Sequence, residues 1–259
     1  MAHFDIPSRL FMSSPVITVG PAASLEAARD LLNENSISSL AVVDGSDFLG
    51  VLSRTDLLRV ARREAGSQHG ADNLTFPAKP VSEIMNRDVA AISADDTVHE
   101  AAARMVKNGY HRVFLNDTDG LAGVLSTRDV MVAIRDKRVM LPISEFMSAP
   151  LFTVRASEPI SLATERLEKA HVSGLVVVED EWPVGLFAQV DALAAQKLPR
   201  DTPIEEAMNT AFVCMPHDTP MHRAAAQAAS LRARRVIAVK KRDMVGILTG
   251  IDFARLAAR

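Results

Sequence analysis

Four short apolar runs, "VITV", "VAAI", "LFTV" and "FVCM", recur along the chain, and the pattern that follows each is the same. They are too short for helices and rich enough in branched residues for strands. Behind them apolar positions fall three and four apart, as in "LEAARDLLNEN" and "VHEAAARMVKN", which predicts amphipathic helices. The helix starts are marked. Ser24 precedes the first, Thr97 with Glu100 three residues on makes a capping-box pattern before the second, and Pro159 and Pro220 stand where a first helical residue belongs. Next come "LAVVD", "VFLND", "LVVVE" and "IAVKK", each followed by a polar turn and another apolar strand. Each unit therefore reads β-α-β-β-α. A sheet of this size is incompletely covered by its own helices, so neighbouring units are expected to pair face to face and share a core.

The last strand of each unit opens a repeated heptad: "GVLSRTD" at Gly50–Asp56, "GVLSTRD" at Gly123–Asp129, "GLFAQVD" at Gly185–Asp191 and "GILTGID" at Gly246–Asp252. Thirty-eight residues before each glycine stands a methionine, Met12, Met85, Met147 or Met208, with no insertion in any copy. Successive methionines are 73, 62 and 61 residues apart, so the units differ in their linkers rather than in their bodies. The surplus, "REAGSQHGADNLTFPAK" at Arg63–Lys79, reads as a surface loop. The boundaries that follow are repeat 1 at 8–62, the loop at 63–79, repeat 2 at 80–138, repeat 3 at 142–198 and repeat 4 at 202–259.

The terminal glycine, two or three apolar residues and then Ser/Thr-x-x-Asp, repeated in register from about Ser8 to Leu256, resembles the cystathionine beta-synthase (CBS) domains. These occur in tandem pairs called Bateman modules. Four copies resemble the gamma subunit of AMP-activated protein kinase and its prokaryotic four-repeat relatives. The resemblance implies an α/β (α+β) fold in which four β-α-β-β-α repeats form two Bateman modules, 8–138 and 142–259, packed as a pseudo-symmetric disc. It also implies adenine nucleotide in the clefts, with the heptad Asp on the ribose and the Ser/Thr on the phosphate.

Physical chemistry offers two readings of the heptad. An ionised carboxylate can accept from both hydroxyls of a ribose, which suits Asp56, Asp129, Asp191 and Asp252. Ser53, Ser126 and Thr249, three residues earlier, could donate to a phosphate at a helix start. The same Ser/Thr-x-x-Asp is also how a helix caps its own first turn. Against capping stand the persistence of Asp191 where Ala188 has removed the hydroxyl, and the choice of Asp over Glu throughout.

A second register separates odd units from even ones. Eleven residues before the heptad glycine stand Ser39, Arg112, Gly174 and Arg235, preceded by Ser38, His111, Ser173 and Arg234. Even repeats are basic there and odd ones small. "YHRVFL" resembles the family's phosphate-facing His-Arg pair, and a guanidinium is well shaped for bidentate phosphate contact. His111 would add sensitivity to pH. Arg54 and Arg128, inside their heptads, are further phosphate candidates, and Thr18 and Thr153, six residues after their methionines, are strand candidates for adenine or phosphate. The methionines themselves are read as filling core gaps at module junctions.

Composition narrows the classes. The 259 residues are 48% hydrophobic, enough for a substantial core, and 29 Lys+Arg against 32 Asp+Glu leave a net charge of -3 with no general attraction to nucleic acid or membrane. The single Cys214 and seven scattered histidines give no disulfide and no metal-ligand spacing. No apolar run reaches 18 residues and the start lacks a secretory pattern, so a cytoplasmic location is expected. No P-loop, G-x-G-x-x-G or nucleophile with a base suggests catalysis. The expectation is a non-catalytic regulatory protein that binds AMP, ADP or ATP, the last with Mg, uses no redox cofactor, forms a homodimer and acts on a separate target protein by ligand-dependent conformational shift. Alternatives are a structural or interaction scaffold with constitutive nucleotide, and a sensor of S-adenosylmethionine or NAD.

Overall fold

In a computed structural model of the protein, which describes residues 3–63, 74–89, 91–118, 120–195 and 198–259, the four units have one element order. The first contains β1 (Thr18–Val19), α1 (Leu25–Glu34), β2 (Ser39–Asp44), β3 (Asp47–Ser53) and α2 (Arg54–Val60). A pair of two-residue strands, β4 (Arg62–Arg63) and β5 (Leu74–Thr75), and the single turn α3 (Val81–Ile84) lead to the second. That unit holds β6 (Ala91–Ser93), α4 (Val98–Asn108), β7 (Arg112–Asp117), β8 (Gly120–Ser126) and α5 (Thr127–Asp136). The third holds β9 (Thr153–Arg155), α6 (Ile160–Lys169), β10 (Gly174–Glu179), β11 (Trp182–Ala188) and α7 (Gln189–Ala194). The fourth holds β12 (Val213–Pro216), α8 (Met221–Ser230), β13 (Arg235–Lys240), β14 (Asp243–Thr249) and α9 (Gly250–Ala257). The middle of the expected 63–79 loop lies outside the described residues, and its flanks are paired through β4 and β5.

Each unit's sheet has three strands: the first lies parallel beside the second, across the helix, and the hairpin partner is antiparallel. The helices bury the stripe their periodicity foretells, Leu25, Ala28 and Leu32 in α1 and Val98, Ala101, Ala102 and Met105 in α4. Ser24 accepts the Ala27 N–H at 3.2 Å, and the Thr97–Glu100 capping box closes in both directions. Pro159 and Pro220 sit one position earlier than expected. They are N-caps with extended backbone, because the preceding chain runs straight into the helix and the proline needs no N–H there.

The lead-in segments are exchanged within pairs. Ser13, from before the first unit, bridges Val124 of the second, and Asn86, from before the second, bridges Val51 of the first. Ser148 to Ile247 and Asn209 to Leu186 repeat the exchange between the third and fourth units. The methionines are therefore borrowed: Met12 packs on Gly123, Met85 on Gly50, Met147 on Gly246 and Met208 on Gly185. A side chain beyond hydrogen at any of these glycines would collide with the partner's lead-in, so the heptad begins with glycine for steric reasons. Inside the pairs the sheets also meet, through the Phe48 and Phe114 rings at 5.0 Å in one and through Val176, Leu186 and Ile237 in the other.

Pair meets pair through helices. The second and fourth units share one core, with α5 against α8 and α9, α4 against α9, and Met105, Ile134, Met221 and Phe253 fully buried at the contact. The first and third keep separate cores and touch more lightly through α2 and α7. Two modules joined by helices in this way make the expected Bateman arrangement.

Candidate functional site

The β-ladders bring the two registers of candidate residues side by side. Ser39 pairs with Ser53, Arg112 with Ser126, Gly174 with Ala188 and Arg235 with Thr249. The start of each hairpin thus neighbours the start of the helix that follows it.

All four heptad carboxylates cap that helix. Oδ2 of Asp56, Asp129, Asp191 and Asp252 accepts the backbone N–H of Ser53, Ser126, Ala188 and Thr249 at 2.7–2.9 Å. Ser53, Ser126 and Thr249 also donate their hydroxyls to the same oxygen. The persistence of Asp191 beside Ala188 therefore does not count against capping, since the backbone N–H suffices. What separates the four is the second oxygen. Arg255 donates to Oδ1 of Asp252 at 2.6 Å, and that aspartate is only 2% exposed. Arg59 stands 3.5 Å from Oδ1 of Asp56, with its own side chain largely in water. No side chain of the described residues reaches Oδ1 of Asp129 or Asp191. Burial pushes both of these carboxyls above the usual range, against the lowering effect of their capping hydrogen bonds and nearby arginines.

The odd–even alternation is steric as well as electrostatic. Arg112 crosses from the second unit to donate to the hydroxyls of Ser38, at 2.9 Å, and Ser39 in the first. Arg235 crosses from the fourth to the third, where Nη2 donates to the Ser173 carbonyl at 3.1 Å and would stand 2.6 Å from a Cβ at Gly174. Small residues in odd repeats make room for the arginines of even ones.

These arginines belong to a larger cluster centred on Arg234. Its charge is felt by Arg54 of the first unit, His111, Arg112 and Arg128 of the second, Asp191 of the third and Arg235 of its own. Arg232 adds to the crowd beside Arg128. Arg128, Arg232 and Arg234 are exposed and make no hydrogen bond or ion pair with the described residues. Desolvation, and then Arg112, Arg234 and Arg235, hold His111 below the usual imidazole range. His111 is nonetheless exposed, so its ring meets water on one side and desolvating protein on the other, as at the rim of a shallow recess. Desolvation followed by like-charged neighbours lowers Arg112 and Arg128 as well. The recess is strongly cationic, with Asp129 and Asp191 as its acidic members.

Arg54 does not point its guanidinium into this recess unengaged. It donates to the carbonyls of Ile37 and Leu32 at 2.9 and 2.7 Å and to Asn33 Oδ1 at 2.7 Å, closing the C-terminal end of α1. The Leu32 carbonyl in the last turn of α1, the Ile37 carbonyl just beyond that helix and the Asn33 amide oxygen take up its donors, so a phosphate at Arg54 would compete with them. Thr18 and Thr153 are exposed on their edge strands. Thr153 lines a cavity of about 530 Å³ with Pro150, Leu151 and Met244, and no heptad aspartate lines it. The residues passed over in the sequence are Arg232, Arg59 and Arg255. The first stands two residues before Arg234 in "LRARR", and the other two each stand three residues after a heptad aspartate. Among the described residues no group of His, Cys, Asp or Glu converges to hold a metal, and no helix is long and apolar enough to cross a membrane.

Comparison with known proteins places these features in a family. A sequence model described as CBS domain matches residues 5–63, 81–136 and 143–198. Uncharacterized protein MJ1404 of Methanocaldococcus jannaschii is 24% identical over 97% of this chain, which spans 62% of that relative's length. Among solved structures, MJ1225 of the same organism, put forward as an archaeal homolog of g-AMPK, superposes with a TM-score of 0.75 at 17% identity, covering 97% of this chain and 99% of its own. An uncharacterized conserved protein from Pyrococcus horikoshii gives 0.67 at 18% identity, with 96% and 98% covered. At these identities the structural likeness speaks for the fold.

Proposed function

This chain belongs to the CBS domain family, and from that premise we propose that it is a non-catalytic regulatory protein that binds adenine nucleotides, AMP, ADP or ATP, with their phosphates turned toward the recess around Arg234. One observation carries the reading: Arg234 lies among charged groups of all four repeats and has no described partner of its own. Gathering like charges costs energy, on the order of 1 kcal/mol for each pair 4 Å apart in water and about 4 where the effective dielectric is lower. A phosphate relieves that repulsion at several arginines at once and accepts forked hydrogen bonds from them. Oδ1 of Asp129 or Asp191 is then the acceptor for ribose hydroxyls at the rim of the same recess. Because the recess draws on both modules, nucleotides of different charge favour different module arrangements, and unequal affinity for those arrangements is what moves the population. The change would be read by a separate target protein.

The test is calorimetric titration of nucleotide-stripped protein with AMP and with ATP, for the wild type and Arg234→Ala. Binding with a clear AMP–ATP difference, weakened at least tenfold in the variant, supports the reading. Absence of heat with either nucleotide, or equal affinity in wild type and variant, overturns it.

A further inference from the structure

The four repeats are not equivalent, and a signal in the chain tells them apart. Three residues after the heptad aspartate the first and fourth repeats carry Arg59 and Arg255, whereas the second and third carry Val132 and Ala194. On a helix this spacing puts the two side chains on one face, one turn apart. In the fourth repeat the contact is closed: Arg255 Nη1 lies 2.6 Å from Asp252 Oδ1, with Thr249 holding Oδ2, so both carboxylate oxygens are engaged. In the first it is looser, 3.5 Å, with 64% of the Arg59 side chain exposed. The carboxylates without such an arginine, Asp129 and Asp191, are the ones whose charge is felt by the central arginines Arg112, Arg128 and Arg235.

We propose that Arg255 is an internal occupant of the fourth repeat's ribose-binding carboxylate, shutting that repeat to nucleotide and leaving the tighter binding to the second and third repeats, one in each module. The inference rests on the nucleotide reading given above and goes further by assigning which repeats serve. Its physical basis is competition for a single acceptor. A ribose needs acceptor oxygens whose free lone pairs face outward, and here the half-exposed Arg255 stands on the outward oxygen of an otherwise buried carboxylate, in a charge-assisted bond the ribose would have to displace. Arg59, exposed and distant, competes less, which makes the first repeat the weaker binder rather than a closed one.

Two substitutions in the full-length chain test this with AMP as the probe. Arg255→Ala uncovers Oδ1 of Asp252 and is expected to add one equivalent of bound AMP. Ala194→Arg, at an exposed position on α7, transplants the arginine beside Asp191 and is expected to remove one equivalent. The second variant needs no buried rearrangement, so it decides the matter even where Arg255→Ala folds poorly. AMP binding whose stoichiometry neither variant alters overturns the assignment of Arg255 while leaving the nucleotide reading intact. Failure of the wild type to bind AMP at all overturns both.

Discussion

The thioether of Met12 in the first repeat occupies the space that a Cβ on Gly123 of the second would need. The same relation holds for Met147 and Gly246 and for Met208 and Gly185, where the colliding atoms belong to a flexible side chain. At Gly50 the obstacle is different. A Cβ there would stand 2.5 Å from the backbone oxygen of Asn86, and that backbone is fixed by paired hydrogen bonds to Val51 at 2.8 and 2.9 Å. Gly50→Ala is therefore expected to cost about 2–3 kcal/mol, and Gly123→Ala less than about 1.5, because a methionine can swing aside and a bridged backbone cannot. Denaturant unfolding of the two variants measures the difference. Equal losses would show that the exchanged segment yields as readily as a side chain.

Arg234 yields a prediction in which stability and binding move in opposite directions. Removing one cation from a recess crowded with them relieves repulsion, so Arg234→Ala should stabilise the nucleotide-free protein by about 0.5–1 kcal/mol, and raised salt should shrink the gain. Added phosphate compounds should stabilise the variant less than the wild type, since the shared contact is gone. Thermal unfolding at low and high salt, with and without ligand, reads both effects. A variant that is less stable without ligand would make Arg234 a structural residue and remove the strain on which the binding argument stands.

Much of this arrangement is legible in the chain because the repeats can be compared with one another. Strand and helix order follow from apolar spacing, and Ser24 and Thr97 mark their helix starts as N-caps do. The alternation of Ser39 and Gly174 with Arg112 and Arg235 is visible as a register, although its steric half, arginine filling the space above a small residue, appears only once the units pair. What escaped is long-range. Nothing local tells that Met12 serves Gly123 rather than Gly50, because the exchanged lead-in bridges a strand far along the chain, Ser13 to Val124. Arg54 was legible as a cation inside the heptad but not as a donor to the end of α1 and the residues beyond it, because the Ile37 and Leu32 carbonyls it reaches stand 17 and 22 positions away. Arg255 could have been found by extending the heptad comparison three residues further.

The third heptad offers a gain of stability. Asp191 caps α7 through the Ala188 N–H alone, whereas Ser53, Ser126 and Thr249 add a hydroxyl to the same oxygen in their own repeats. Ala188→Ser should supply the missing hydrogen bond and stabilise the protein by about 0.5–1 kcal/mol, a rise of a few degrees in Tm for a chain of this size. Scanning calorimetry checks it. A neutral or negative result would mean that α7 is held by packing and that its cap contributes little.

His111 gives a pH dependence whose sign is fixed by its surroundings. Desolvation and the neighbouring Arg112, Arg234 and Arg235 hold its folded pKa below the usual value of about 6.5. Between the two values the unfolded chain binds more protons than the folded one, so stability is retained above about pH 6.5 and is lost as the pH falls through this window. An anion in the recess reverses the balance by favouring imidazolium, so binding takes up a proton and tightens on acidification. The half-buried carboxyls Asp129 and Asp191 are displaced upward by desolvation, and for them acidification favours the folded state, so the His111 contribution must be read as the difference from His111→Asn. Sulfate is the suitable probe, because its own charge does not change between about pH 5.5 and 8. Wild-type affinity for sulfate should rise several-fold across that range as the pH is lowered, and the rise should be absent in His111→Asn. A parallel rise in both proteins would assign the pH response to other groups and leave His111 with a packing role beside Arg112.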